Sequence, residues 1–186
     1  GGIDVTATRT YAEEETPENT TAYTITVNGL NGGHSGMEIH KGLGNANKIM
    51  NRILFDGFTQ FGLRIAEING GSLRNAIPRE STATIMIDSI SKEAFLFVTE
   101  LLINNIKKEL STIDPNLKIR IVPTNLPKKV MEIGVQEGFI KSIYGALNGV
   151  YRMSPDIKDL VETSNNIARV LVKEKKKKIG CLTRSS

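Results

Sequence analysis

Two glycine-rich turns carry the residues best suited to chemistry. The first, Asn28-Gly29-Leu30-Asn31-Gly32-Gly33-His34-Ser35-Gly36, sets His34 among glycines, where a backbone can approach a ligand closely. The second, Asn69-Gly70-Gly71-Ser72-Leu73-Arg74-Asn75-Ala76-Ile77-Pro78, presents Asn75. An imidazole and a carboxamide brought to one sheet end would offer donors without a nucleophile. Such a pair suits substrate binding and transition-state stabilisation rather than primary bond-making. The bland alternatives are a surface histidine in a loop and a plain connection between two strands.

Other motifs fall short. Gly33-His34-Ser35-Gly36-Met37 lacks the last glycine of G-x-S-x-G, and no acid-then-histidine pair follows it. Gly42-Leu43-Gly44-Asn45-Ala46-Asn47 lacks the third glycine of G-x-G-x-x-G and follows a loop rather than a strand. His34 and His40 are six apart, not the three or four that puts metal ligands on one helix face. Glu13-Glu14-Glu15 reads as a solvated loop, since nothing apolar nearby would desolvate a catalytic carboxylate.

The positioning elements follow from periodicity. Ile3, Val5 and Ala7 alternate with polar residues, as do Tyr23, Ile25 and Val27, where only Ala22 breaks the polar face. Helical spacing runs from Leu43 to near Phe55, with Asp56-Gly57 as its stop. Leu63, Ile65 and Ile68 mark a strand, and Ser81 to Asp88 another. Ser91 is positioned to cap a long helix that reaches Leu110 ahead of Pro115. Ile119 and Ile121 mark a short strand, and Val135 to Leu147 a third helix closed by Asn148-Gly149. Strands follow near Val150 to Met153, Ile167 to Val172 and Ile179 to Arg184. Adjacent half-polar strands predict an α+β fold, a mainly antiparallel sheet with helices packed on one face. The division into two similar halves, 1–115 and 116–186, stays open.

With 186 residues, 39% of them hydrophobic, the chain suits one domain or two small halves sharing a sheet. One cysteine, Cys181, excludes a disulfide framework and a multi-cysteine zinc site. Its single thiol fits a reducing compartment, so the cytoplasm is the expected location. No apolar run approaches the roughly 18 residues of a membrane span. The net charge of +4 owes much to Lys173-Glu174-Lys175-Lys176-Lys177-Lys178. Without interleaved aromatics, that run reads as a solvated turn between strands rather than a nucleic-acid surface. The chain starts at Gly1 rather than Met and stops as a strand-like alternation ends, the pattern of a piece cut from a longer protein.

Several ordered segments carry a resemblance. Asn28 to His40 with Gly44-Asn45-Ala46, and Asn69 to Pro78, resemble the lid domain of aminoacyl-histidine dipeptidases, zinc exopeptidases akin to carnosinases. Asn148 to Ser154, Val161 to Asn166 and Leu182 to Ser186 resemble later segments of the same lid. The likeness spans about Ile3 to Ser186. It implies that residues 1–186 are a substrate-binding and dimerisation lid, inactive alone, of a cytoplasmic homodimer. The parent would hydrolyse dipeptides ending in histidine. Zinc would sit in a separate catalytic domain of that parent, with no metal ligands in this chain. It further implies three roles. His34 would hydrogen-bond the scissile carbonyl and the developing oxyanion, Asn75 would hold the substrate, and Arg184 would pair with the C-terminal carboxylate. A bidentate Arg–carboxylate contact is the physical reason for arginine there. Two other classes compete: a free-standing α+β ligand-binding or dimerisation module without peptidase activity, and a basic nucleic-acid binder resting on Lys175 to Lys178.

Overall fold

Alternation along Tyr23, Ile25 and Val27 is typical of the strands, which build an eight-stranded sheet. The computed structural model describes residues 1–185. Its elements are β1 (Gly2–Thr10), β2 (Glu13–Glu15), β3 (Thr20–Asn28), β4 (Gly33–His34), α1 (Ala46–Phe61), β5 (Arg64–Gly70), β6 (Ala76–Ile77) and β7 (Ser81–Asp88). There follow α2 (Lys92–Leu110), β8 (Lys118–Pro123), β9 (Lys129–Met131), α3 (Ile133–Gly145), β10 (Gly149–Met153), β11 (Val161–Lys173) and β12 (Lys176–Ser185). The sheet runs β1-β12-β11-β5-β7-β3-β8, with β10 added on β11. Each neighbouring pair is antiparallel. Two short ribbons, β2-β9 and β4-β6, stand apart from it.

The fold is the α+β arrangement expected, with the three helices over one sheet face. Ile25, Ile65, Ile85 and Val170 from the sheet share a core with Met50 and Ile53 of α1, Phe95 and Ile103 of α2 and Ile140 of α3. Burying each such side chain stabilises by about 1.5–3 kcal/mol. Met86 lies between Ile85 and Ile87 and so faces the other way, where it packs with Ala22 and Val130 of β9. That cluster explains why Ala22 interrupts a polar face: β9 covers it.

Several boundaries differ from expectation. Helix α1 does not stop at Asp56-Gly57. Phe58 and Phe61 add another turn to the core side, and Gly57 stays inside because a Cβ there would lie 2.7 Å from Leu63 Cδ1. The stop is Gly62, left-handed at φ 65°. Ser91 occupies the start of α2, but its backbone is already near-helical and its hydroxyl makes no capping bond. Helix α3 ends at Gly145, earlier than Asn148-Gly149. There Lys48 Nζ donates to the carbonyls of Ile143, Tyr144 and Ala146 at 2.9–3.0 Å and closes the helix end. Strand β11 begins at Val161 rather than Ile167, since its polar first half is paired by β10 and β12.

Two charged runs are structural. Glu13-Glu14-Glu15 is not a loop: it forms β2 against β9, and Glu14 pairs with the buried Arg64 guanidinium. In the lysine run the turn is only Glu174-Lys175, both left-handed (φ 50° and 61°). Lys176, Lys177 and Lys178 belong to β12, with Lys177 Nζ 5.8 Å from the centre of the Phe139 ring. No helix among the described residues is long and apolar enough to cross a membrane. Ser186, the last residue of the closing-strand segment, lies outside the described residues.

Candidate functional site

The β4-β6 ribbon brings the two glycine-rich turns together. Gly33 pairs with Ile77 and His34 with Ala76, and Ser35 N–H donates to Asn75 O at 2.8 Å. His34 is half-buried. Its Nδ1 accepts from the backbone N–H groups of Gly36 and Met37, both at 3.2 Å. With Nδ1 used as an acceptor, the proton of the neutral ring sits on Nε2, which becomes its donor. Asn75 is exposed, and its carboxamide has no partner among the described residues.

Arg184 of β12 reaches the same place. A Cβ added at Gly36 would lie 2.9 Å from Arg184 Cζ and 3.0 Å from Nε, so the guanidinium rests directly on the His34 turn. Its Nε is buried without a hydrogen-bond partner. A cleft of about 750 Å³ is lined by His34, Glu38, Asn75 and Arg79. A second, of about 260 Å³, is lined by Asp4, Arg74, Asn75 and Arg184. Asn75 borders both, so the three residues singled out from the sequence converge on one rim. What gathers there is an imidazole donor, a carboxamide and a guanidinium with no ion-pair partner among the described residues. Such a set has the chemistry to bind a carbonyl and a carboxylate.

The supports of this rim were largely unread in the sequence. Asp114, 1% exposed, accepts from Asn31 N–H and Gly44 N–H at 2.7 Å each and anchors the first turn. Arg169 donates one Nη to Asn69 Oδ1, Gly70 O and Gly71 O, fixing the second turn. Burial pushes the Arg169 guanidinium below its ordinary value, yet an arginine stays charged. Gly71 is obligatory there: at φ 70°, a Cβ would stand 2.0 Å from Ala168 O. Asn166 Nδ2 donates to Ala76 O at 2.8 Å and ties β6 to β11. Asn45 caps α1 through its Oδ1, while its Nδ2 reaches Asn148, Asn166 and Ile167 O. An asparagine just ahead of an apolar helical run is a cap signal, and it could have identified Asn45. Nothing local marks Arg169 or Asn166, whose partners lie roughly 90–100 residues away.

The rejected motifs find their places. Ser35 is 2% exposed with its Oγ unpartnered, and the adjacent imidazole spends Nδ1 on backbone rather than on a hydroxyl. His40 is exposed on a single 3-10 turn, Ile39–Lys41. Among the described residues no three His, Cys, Asp or Glu side chains gather to hold a metal ion.

Comparison with known proteins adds three findings. Residues 25–114 match the family described as the peptidase dimerisation domain. Over 185 residues the chain is 37% identical to the cytosol non-specific dipeptidase of Escherichia coli (strain K12), using 100% of this chain and 38% of that protein. It is also similar to the crystal structure of aminoacylhistidine dipeptidase from Vibrio alginolyticus, with TM-score 0.96 and 35% identity over 100% of this chain and 38% of that one. The chain thus spans well under half the length of either relative.

Proposed function

We propose that the chain is a peptidase dimerisation domain and that it serves as the substrate-binding lid of a zinc-dependent dipeptidase. The observation that carries the reading is the convergence of His34, Asn75 and Arg184 on one rim. His34 Nε2–H is the donor for the scissile carbonyl oxygen and for the charge that grows on it. Asn75 steadies the substrate between the two clefts. Arg184 takes the C-terminal carboxylate in two parallel bonds. That its guanidinium has no hydrogen-bond or ion-pair partner among the described residues supports that assignment.

The residues present do not fit zinc, since no metal-ligating cluster exists among those described. We therefore assign the metal to the catalytic domain of the parent protein, outside residues 1–186, and assign no catalysis to the lid alone. Substrates are taken to be dipeptides with C-terminal histidine, following the name of the Vibrio relative. The other relative is named non-specific, so the breadth of this preference is the quantity to measure. That relative's name also supports a cytoplasmic location.

The family description supports a homodimer. The matched segment, 25–114, contains α2 but not the edge strands β1 and β8. Phe97 and Leu101 on α2 are 67% and 52% exposed, so that helix face is the proposed contact.

The test uses the full-length protein carrying this chain, assayed beside the isolated lid on an Xaa-His dipeptide. Only the full-length protein should turn over. His34→Ala should lower kcat by about 10²–10³ without changing metal content. Near-normal turnover of that variant would sink the reading.

A further inference from the structure

Glu38 is the carboxylate bonded to the backbone of His34 itself, and it does not enter the reading above. Its Oε2 accepts the backbone N–H of His34 at 2.8 Å. Its own N–H donates back to His34 O at 2.9 Å. The remaining oxygen, Oε1, holds Lys41 Nζ at 2.9 Å. The space is prepared for this carboxylate, since a Cβ on Gly33 would lie 2.7 Å from Oε2.

We infer that Glu38 is a positioning residue for His34, holding the turn that aims the imidazole Nε2–H at the substrate; this rests on the dipeptidase-lid reading. The argument is geometric. Strand β4 is two residues long and cannot fix a side chain through a ladder. The ring is oriented by Gly36 N–H and Met37 N–H, both long contacts at 3.2 Å. Those two N–H groups point at Nδ1 only while residues 34–38 keep their turn. Glu38 closes that turn twice, once through backbone and once through side chain. Without the carboxylate, His34 N–H loses its partner and the turn keeps a single closing bond. Supporting this, the His34 N–H and then Lys41 hold the Glu38 carboxyl below the usual carboxylate range, so it is ionised and accepting at neutral pH.

The experiment measures kcat and KM of the full-length protein carrying Glu38→Ala, Glu38→Gln, His34→Ala and the double variant H34A/E38A. Displacing a catalytic donor by about 1 Å can cost about 10²-fold. Glu38→Ala should therefore lose about 10-fold or more in kcat with KM within about twofold. Glu38→Gln, whose amide oxygen still accepts from His34 N–H, should recover most of that loss. In the double variant the second change should cost nothing further, because it acts through an imidazole already removed. The ¹⁵N signal of His34 Nδ1, assigned by its loss in His34→Ala, should be acceptor-like in the parent and in Glu38→Gln and shift in Glu38→Ala. Normal turnover of Glu38→Ala, or additive losses in the double variant, would overturn the inference while leaving the lid reading intact. If His34→Ala itself retains turnover, the lid reading fails, and this inference with it.

Discussion

Gly36 offers a sharp test of the proposed division of labour, because it touches both halves of the rim. Its N–H serves His34 Nδ1, while its missing Cβ makes room for Arg184. Its backbone is not left-handed, so Gly36→Ala brings no conformational penalty of that kind. The new methyl would stand 2.9 Å from Arg184 Cζ, 3.0 Å from Nε and 3.2 Å from Nη1. Carbon contacts settle near 3.5–4.0 Å, so the guanidinium must retreat by about 0.5–1 Å. That displacement would break the proposed bidentate contact with a substrate carboxylate, and hydrogen bonds to charged groups are worth about 1.5–3 kcal/mol. At about 1.4 kcal/mol per factor of ten, KM for an Xaa-His dipeptide should rise about 10- to 100-fold. The His34 bond uses the backbone of Gly36 and survives, so kcat should stay within about threefold. Steady-state kinetics of the full-length variant would be run on the dipeptide and on its C-terminal amide, which lacks the carboxylate. The amide's KM should not respond to the substitution. An unchanged dipeptide KM, or equal shifts for both substrates, would refute the carboxylate role of Arg184.

The remaining expectations are shorter. Arg184→Lys keeps the charge but loses the planar fork, so KM should rise by about tenfold or more; wild-type KM would reject bidentate pairing. Leu101→Glu places a charge on the exposed face of α2, 52% exposed in this chain, and should leave the fold intact while converting the proposed full-length dimer to monomer. Light scattering behind a sizing column reads that change, and a persistent dimer would move the contact elsewhere. Burial raises the Cys181 thiol above its ordinary value, a hydrogen bond with Asn165 opposes this, and the charge of Asp4 adds to it. The thiolate is then scarcer at pH 8 than in a free thiol, so disulfide-reagent labelling should be slower than for a model thiol and recover as pH rises. Equal rates at pH 8 would contradict the burial argument.

The elements were legible where local pattern and burial agree. Ser81 to Asp88 was bounded correctly because its β-branched alternation is also its core pattern. The same rule failed at Asp56-Gly57, which has the composition of a turn but the surroundings of a packed helix. What decides there is Leu63 Cδ1, brought against Gly57 by chain that has already turned back. It failed again at Glu13-Glu14-Glu15, whose partners are Lys129–Met131 and the buried Arg64. A carboxylate's environment is a tertiary fact, and no local count of apolar neighbours could supply it.

The rim divides in the same way. His34 and Asn75 stood out because glycine-rich turns advertise close backbone approach, and Arg184 came by resemblance alone. Their supports are ordinary polar residues made special by distant partners: Arg169 by Gly71, Asn166 by Ala76, Asp114 by Asn31 and Gly44. Each of these bonds ties a loop to the helix-covered sheet or to the end of α2, so the rim is anchored from beneath as well as by Glu38 within the His34 turn. A donor meant for a charge that exists only in the transition state must be held in place beforehand, since reorganisation at that moment would consume the stabilisation it gives. On the proposed reading, this chain's part is therefore to aim one donor, His34. Most of its functional sequence would then lie in the unremarkable residues that hold His34 still.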